Sequence, residues 1–305
     1  MSTLPLNTPA NAWLQSLRLR TLPLAFASIL VGSSLASFQG SMKFSVALLA
    51  LLTAGLLQVL SNLANDYGDA VKGSDTPARL GPMRGMQKGL ITRHQMKRAI
   101  KLCVFAAVMS GLALITVACQ KPADILVFLL LGLLSIAAAV TYTVGTRPYG
   151  YRGLGDVSVL LFFGWVSVAG TYYLQVGEID VLVLLPATAC GMLAAAVLNI
   201  NNLRDIESDA EHGKNTLAVR LGPKMARYYQ LFLLLGAIVC LTLFSALYFP
   251  GWRGFLFLLA APMLANHGKK VLHSTAPEQV RPLLEHMVKA ALLTQVLFAL
   301  GLFLN

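Results

Sequence analysis

Apolar residues in this chain form long runs that are separated by short polar segments. Nine runs are long and apolar enough to cross a hydrocarbon core of roughly 30 Å as helices. We expect them at about 21–38, 44–63, 102–119, 124–144, 157–175, 181–203, 228–249, 254–268 and 290–304. The pattern predicts an all-α, polytopic integral membrane protein whose single transmembrane domain covers residues 1–305.

Composition and charge agree with this prediction. Charged residues make up 12% of the chain and mean hydropathy is +0.68, whereas a soluble domain carries roughly 25% charged residues. With the N-terminus inside, 21 of the 24 Lys and Arg residues fall in inner segments and three in outer loops, as expected from the cytoplasmic preference of basic loops. The C-terminus is then outside. The net charge of +11 reflects this bias, so no nucleic-acid partner is expected.

Several other features are explained by the membrane fold and do not indicate a functional site. We expect the first run to be a retained helix rather than a cleaved signal peptide. Residues 9–17 place Trp13, Leu14 and Leu17 on one helical face and are expected to lie along the membrane interface. The cysteines lie in apolar runs without CxxC spacing, which predicts buried residues rather than disulfides or metal ligands: Cys103, Cys119, Cys190 and Cys240.

Acidic residues concentrate in two long inner segments, 66–98 and 204–227, which hold most of the acids of the chain. The helices that lead into them end in "SNLANDYGD" and "LNINNLRDIESD". Each contains an Asn, then an Asp four residues on, then a second Asp: Asn62, Asp66 and Asp69, and Asn201, Asp205 and Asp209. Such spacing puts the three side chains on one helix face. We interpret the domain as two similar halves with Asp-rich loops at 62–98 and 199–227.

Four carboxylates meeting at one end of a bundle need compensating cations, because buried unpaired charge is costly. Mg²⁺ prefers one or two carboxylates per ion together with substrate phosphates. Two Mg²⁺ ions and a bridging diphosphate would suit this set, with basic residues balancing the remaining charge. Candidates follow both clusters: Lys72, Arg79, Arg84, Lys88, Arg204, Lys214 and Arg220. The alternative is that these charges are solvated loop residues.

A third inner loop, "YTVGTRPYGYRGLGD", is aromatic, basic and rich in glycine. Asp156, at its end, could be an N-cap of the next helix. Alternatively, the loop takes part in the site. Arg147 would then hold phosphate, while Tyr142 or Tyr149 presents a π-face to a developing cation.

These motifs resemble the UbiA superfamily of intramembrane prenyltransferases. The likeness is strongest to its 1,4-dihydroxy-2-naphthoate polyprenyltransferase branch, in the menaquinone pathway, and rests on "LRLRTLPLAFASILVG", "SNLANDYGDAVKGSD", "GPMRGMQKG", the third loop and "LNINNLRDIESDAEHGKNTLAVRLG". The resemblance implies a helical bundle around a cavity open to lipid, in the cytoplasmic membrane of a bacterium. No obligate protein partner is inferred.

The resemblance also implies roles for residues. The metal-binding acids are Asp66, Asp69, Asp205 and Asp209, with Asp75 extending the first motif and Asn62 and Asn201 as supporting ligands. Diphosphate contacts are Lys72, Arg84, Arg147 and Lys214, with Lys88 and Arg18 as further candidates. The superfamily often has Tyr-x-x-x-Lys where this chain has Tyr142, Thr146 and Arg147. Asp156 would orient or deprotonate the acceptor.

The reaction implied is Mg²⁺-dependent transfer of a polyprenyl group from its diphosphate to 1,4-dihydroxy-2-naphthoate, with loss of CO₂ and diphosphate, giving demethylmenaquinone. A prenyltransferase for another acceptor (4-hydroxybenzoate, homogentisate or haem) is the alternative, because the Asp motifs serve the shared donor. A transporter is a third possibility, although transporter sites tend to lie near the midplane, whereas these acids lie at one membrane face.

Overall fold

A computed structural model of the chain describes residues 8–73, 84–249 and 251–304. Its α-helices are α1 (Pro9–Leu17), α2 (Leu22–Phe38), α3 (Phe44–Lys72), α4 (Arg93–Ala118), α5 (Pro122–Thr141), α6 (Gly155–Val159), α7 (Gly170–Val176), α8 (Leu184–Arg204), α9 (Ile206–Glu211), α10 (Leu217–Tyr248), α11 (Ala261–His273) and α12 (Pro277–Phe303). A π-helical segment, Leu160–Ala169, joins α6 to α7. The described residues contain no strand, and helices are one of the two ways in which a backbone in lipid satisfies its own hydrogen bonds.

Eight of the described helical stretches are long and apolar enough to cross a membrane. The predicted segment 254–268 is built differently, as a 3₁₀ helix over Trp252–Ala260 that continues into α11, with Pro262 in the first turn of α11. At about 2.0 Å per 3₁₀ residue and about 1.5 Å per α residue, the two helices together, Trp252–His273, extend for about 37 Å, which is long enough to span the core. About nine membrane helices therefore agree with the predicted fold.

The helix ends differ from those predicted by hydropathy. Helix α3 continues past residue 63 to Lys72 and stops where Gly73 takes a left-handed φ of 71°, as glycine commonly does after a helix. Helix α4 begins at a capping box formed by Thr92 and Gln95. Helices need not stop at the membrane surface, because polar side chains in water do not disturb their backbone hydrogen bonds. Parts of the segments predicted as loops at 66–98 and 204–227 are therefore helical.

The second Asp motif is not on one continuous helix, contrary to the prediction. Helix α8 ends at Arg204, and Asp205, with φ −99° and ψ 13°, separates it from α9. The backbone N–H of Asp209 still donates to the carbonyl of Asp205 at 2.8 Å. The turn is therefore close to helical, but the local break frees Asp205 to pair with its neighbour.

Helix α1 packs on the bundle through Ala12, which is buried against Gly85 and Ile91. Trp13 and Leu17 pack against the same cluster, whereas 48% of Leu14 is exposed. The position of this helix along the membrane interface stays a prediction.

An apolar cavity of about 220 Å³ lies between α2, α3, α4, α5 and the π-helical segment. Helix α5 has no fully buried residue. One side of it lines the cavity, and the opposite side lies on the outer surface of the bundle. The π-helical segment approaches α8 closely at Gly164 and Gly191, where an added Cβ would lie 2.5 Å from the Ala187 carbonyl and 2.6 Å from the Leu160 carbonyl. Small residues at such contacts allow helix backbones to pack tightly.

Candidate active site

The first Asp cluster lies on the polar end of α3. Asp66 and Asp69 are 1% and 4% exposed. The Arg18 guanidinium donates to Asp66 Oδ1 at 2.6 Å. Arg84 Nη1 lies 3.1 Å from the same oxygen and 2.8 Å from Asp69 Oδ2. Two buried acids are therefore matched by two arginines that come from distant parts of the chain.

The backbone at Arg18 is held by the same region. Arg18 is the only non-glycine residue with positive φ, 47°, in the part of the chain that the structure describes, a conformation that costs an L-residue roughly 1–2 kcal/mol. Its carbonyl accepts from Thr21 N at 2.8 Å and from Thr21 Oγ1 at 2.9 Å. Asn62 Nδ2 donates to the Leu17 carbonyl at 2.9 Å and to Thr21 Oγ1 at 3.1 Å. Asn62 therefore fixes the turn that presents Arg18 to Asp66.

The second cluster has the same balance of charge. Arg204 makes a two-point contact with Asp205, at 2.8 Å from Nε and 2.5 Å from Nη2. Its Nη2 also donates to Asn201 Oδ1 at 3.0 Å. Lys214 Nζ lies 3.3 Å from Asp209 Oδ1. The negative charge of the four Asp residues, for which metal ions were predicted, is therefore balanced in part by basic residues: Arg18, Arg84, Arg204 and Lys214.

Tyr151, which was not among the predicted site residues, contacts both clusters. Its hydroxyl donates to Asp69 Oδ1 at 2.9 Å. The ammonium groups of Lys72 and Lys214 lie over its ring, at 5.3 and 5.8 Å from the centroid. Its carbonyl accepts from the Asn215 backbone at 3.1 Å. The available signal was its place in the aromatic third loop, between Pro148 and Gly153.

A polar cavity of about 560 Å³ adjoins Tyr151. Three basic side chains of the described residues line it: Lys72, Arg147 and Arg152. The other lining residues are Thr146, Pro148, Tyr151, His212, Gly213 and Asn215. Lys72 and Arg147 were predicted to meet a diphosphate, and the structure brings them together here. Lys88 is elsewhere, donating to Gln15 Oε1 at 3.4 Å. Asp75 and Arg79 lie outside the described residues.

Tyr142, Tyr149 and Asp156 lie close together, and Tyr149 lines the apolar cavity. The Tyr142 and Tyr149 rings meet edge to face with centroids 5.3 Å apart. The Tyr149 hydroxyl donates to the Ala138 carbonyl and lies 2.9 Å from Ser158 Oγ, and both Tyr149 and Ser158 line the apolar cavity. Burial, then the charge of Asp156, raises the pKa of Tyr142 well above its usual range. Tyr142 is therefore a neutral phenol at physiological pH.

Asp156 is not the N-cap of its helix. The cap residue is Leu154, and Asp156 lies in the first turn of α6, 4% exposed. Its carboxylate oxygen Oδ1 is buried without a hydrogen-bond partner among the described residues. The prediction that Asp156 is an N-cap is therefore wrong. Asp156 is a buried acid beside Tyr142.

The acids suit a hard divalent cation by their donor atoms, which are all oxygens. Asp66 Oδ2 is buried and has no hydrogen-bond partner among the described residues, so it can serve as a ligand. No group of three or more His, Cys, Asp or Glu residues that could hold a metal occurs in the part of the chain that the structure describes. Mg²⁺ commonly takes one or two carboxylates per ion together with substrate phosphates, which suits pairs of Asp residues.

Comparisons with known proteins agree on one family. A profile described as the UbiA prenyltransferase family matches residues 25–302. The chain is 62% identical over 295 residues to the 1,4-dihydroxy-2-naphthoate octaprenyltransferase of Escherichia coli (strain K12), covering 97% of this chain and 96% of that protein. It is 50% identical over 302 residues to the enzyme of the same name from Haemophilus influenzae (strain ATCC 51907 / DSM 11121 / KW20 / Rd), covering 98% of each.

A solved structure has the same fold. The UbiA homolog from Archaeoglobus fulgidus bound to GPP and Mg²⁺ superimposes with a TM-score of 0.60 at 14% identity, over 94% of this chain and 99% of that one. At this identity the likeness is evidence for the fold alone.

Proposed function

The chain belongs to the UbiA prenyltransferase family and is a multi-pass membrane prenyltransferase; we propose that it transfers a polyprenyl group from polyprenyl diphosphate to 1,4-dihydroxy-2-naphthoate. The observation that carries the proposal is the 62% identity to the Escherichia coli octaprenyltransferase across both whole chains. The geometry agrees, since α3 lines an apolar cavity between membrane helices and carries the first acid and base cluster at its polar end.

The apolar cavity supports binding of the isoprenoid tail. Its lining on α3 runs from Ala50 to Ser61, a rise of about 17 Å at 1.5 Å per residue. An octaprenyl chain is much longer than this, so its distal units would pass between helices into lipid. A tail in this cavity would put the diphosphate at the polar end, beside the acids and arginines.

Mg²⁺ is the proposed cofactor, as two ions bridged by the diphosphate. Asp66, Asp69, Asp205 and Asp209 would hold it, and it would supply Lewis-acid stabilisation of the leaving group. The fit rests on the oxygen donors and on the unbonded Oδ2 of Asp66. The protein's own cations, Arg18, Arg84, Lys72, Arg147 and Lys214, would meet the remaining phosphate charge as the allylic C–O bond breaks.

The acceptor would react at the boundary between the two cavities. Apolar walls exclude water, which would otherwise quench the allylic cation, and the neutral ring of Tyr142 or Tyr149 offers it a π-face. The naphthoate ring carbon forms the new C–C bond. Loss of the carboxylate as CO₂ returns its electron pair to the ring and gives demethylmenaquinone in its reduced form. Asp156, buried beside Tyr142, would orient or deprotonate the phenol.

An acceptor panel with one donor tests the function. We expect purified protein with octaprenyl diphosphate and Mg²⁺ to prenylate 1,4-dihydroxy-2-naphthoate and release CO₂, and to do neither with excess chelator. Preference for 4-hydroxybenzoate, homogentisate or haem would assign another acceptor. Chelator-resistant turnover would contradict the metal. Uptake of an acceptor by vesicles without transfer would indicate a transporter, against which the position of the acids at one end of the bundle argues.

The topology is proposed from the charge split, with the N-terminus and both Asp clusters in the cytoplasm and the C-terminus outside. The membrane is proposed to be the cytoplasmic (inner) membrane of a bacterium. A cysteine at Gly213, in a background with the four native cysteines replaced by Ala, should react with an impermeant maleimide in inverted vesicles only. A cysteine at Gly40, between α2 and α3, is the matched probe for the other face and should react only in right-side-out vesicles. The reverse pattern would invert the topology.

A further inference from the structure

We propose that Tyr151 is a positioning residue that holds Lys72 and Lys214 for the prenyl diphosphate and connects the two Asp clusters. This inference rests on the proposed function, because it concerns how that site is assembled. It starts from one observation: a single buried phenol contacts the first cluster through its hydroxyl and one lysine of the second through its ring.

The position of Tyr151 is set by its own loop and by the second cluster. It lies in a 3₁₀ turn, Tyr149–Arg152, between Pro148 and Gly153, which has a φ of 71°. The Asn215 backbone N–H donates to its carbonyl at 3.1 Å. Because Asn215 follows Lys214, the loop that carries Tyr151 and the loop that carries Lys214 are tied by their backbones as well as by their side chains.

The ring acts on two flexible cations. A lysine ammonium is a point charge on a four-carbon stem, and ordering such a chain costs conformational entropy. Both ammonium groups lie within 6 Å of the Tyr151 centroid, the range in which an aromatic face attracts a cation. Lys72 also lines the polar cavity beside the ring. The ring therefore holds both cations in place before the diphosphate binds, which favours affinity.

The hydroxyl has a separate task. It donates to Asp69 Oδ1 at 2.9 Å, while Arg84 contacts Oδ2 of the same carboxylate at 2.8 Å. The two contacts fix the orientation of Asp69, one of the proposed metal ligands. Outer partners of this kind orient metal ligands, and their loss typically lowers metal affinity about 10–100-fold.

The two parts of the side chain can be separated by substitution. Tyr151→Phe keeps the ring and removes the hydroxyl, so we expect the Mg²⁺ concentration for half-maximal rate to rise about tenfold while KM for octaprenyl diphosphate changes less than twofold. Tyr151→Leu removes both, so KM for the diphosphate should also rise about tenfold. The matched control is Tyr67→Leu, because Tyr67 also has a lysine over its ring, Lys97 at 5.7 Å, and Lys97 does not line the polar cavity; its KM should stay at the wild-type value.

A double-variant cycle tests whether Tyr151 acts through its lysine. In a Lys72→Met background, Tyr151→Leu should raise KM for the diphosphate by less than tenfold, because one of the two cations that the ring holds is gone. Equal KM for Tyr151→Leu and wild type, or equal rises for Tyr151→Phe and Tyr151→Leu, would overturn the proposal. So would additivity in the double variant. If instead the wild-type protein transfers no prenyl group to any acceptor, the proposed function fails, and binding of Mg²⁺ and inorganic diphosphate to the same variants then tests the role of Tyr151 by itself.

Discussion

Asp66→Asn should lower kcat/KM for prenyl transfer by about 10²–10³-fold, the typical loss when one preorganised electrostatic group is removed from a site. Asp66 is the most buried acid of the first cluster, and both Arg18 and Arg84 contact its Oδ1. Asparagine has nearly the same shape but carries no charge. It therefore removes the counterion of two arginines and one proposed ligand of Mg²⁺ without leaving a cavity. Steady-state kinetics with octaprenyl diphosphate over a range of Mg²⁺ measures the effect.

Two controls make this result specific. Asp124→Asn changes an acid at the other end of the bundle, where Asp124 accepts from the Tyr173 hydroxyl at 2.7 Å, and should keep wild-type kinetics. The melting temperature of Asp66→Asn in detergent separates a catalytic loss from unfolding. Activity of Asp66→Asn within twofold of wild type would remove Asp66 from the proposed site.

Arg84→Met should destabilise the protein and make its stability depend on Mg²⁺. One guanidinium nitrogen of Arg84 lies near both Asp66 and Asp69, so its removal leaves two buried acids of like charge with less compensation. Removing one partner of a buried ion pair costs about 3–5 kcal/mol. A divalent cation that binds the folded state should restore part of this stability. Thermal unfolding in detergent, with and without Mg²⁺, measures both effects.

The matched control for this variant is Arg93→Met, because Arg93 is exposed at the start of α4. It should melt at the wild-type temperature and show the small response to Mg²⁺ of the wild-type protein. In Arg84→Met, an unchanged melting temperature without Mg²⁺ would contradict the electrostatic role of Arg84. A lowered melting temperature that Mg²⁺ does not raise would contradict metal binding at this cluster.

The membrane helices were predictable because apolar run length directly reflects the thickness of the bilayer. Their ends were less so. Helix α3 extends to Lys72 and α12 begins at Pro277, well outside the runs at 44–63 and 290–304, because a helix in water ends where its caps end it. Two signals in the sequence indicate other helix ends: Gly73 marks the end of α3, and the capping box at Thr92 marks the start of α4.

The two Asp pairs were also predicted from the sequence, because two helices end in an Asn followed by two Asp residues. The structure shows these acids buried and paired with basic residues, and their role as metal ligands stays a prediction. The partners of those acids were not predicted. Arg18 is 48 residues from Asp66, and Tyr151 is 82 residues from Asp69. Lys88 fitted the same compositional argument as Arg84, yet it contacts Gln15. Charge and spacing along the chain cannot distinguish these cases, because the contacts depend on how α1 and the third loop pack against α3.

The sequence by itself therefore determined the fold class, the family resemblance and the acids at one end of the bundle, all of which follow from local periodicity and local composition. Only the tertiary structure decided which cations pair with those acids, that Asp205 leaves the helix, that Asp156 is buried beside Tyr142, and that Tyr151 contacts a residue of each Asp cluster. The physical reason is that an ion pair, a cation–π contact or a cavity requires groups a few ångströms apart, and residues distant in sequence reach that separation only through packing of the whole bundle.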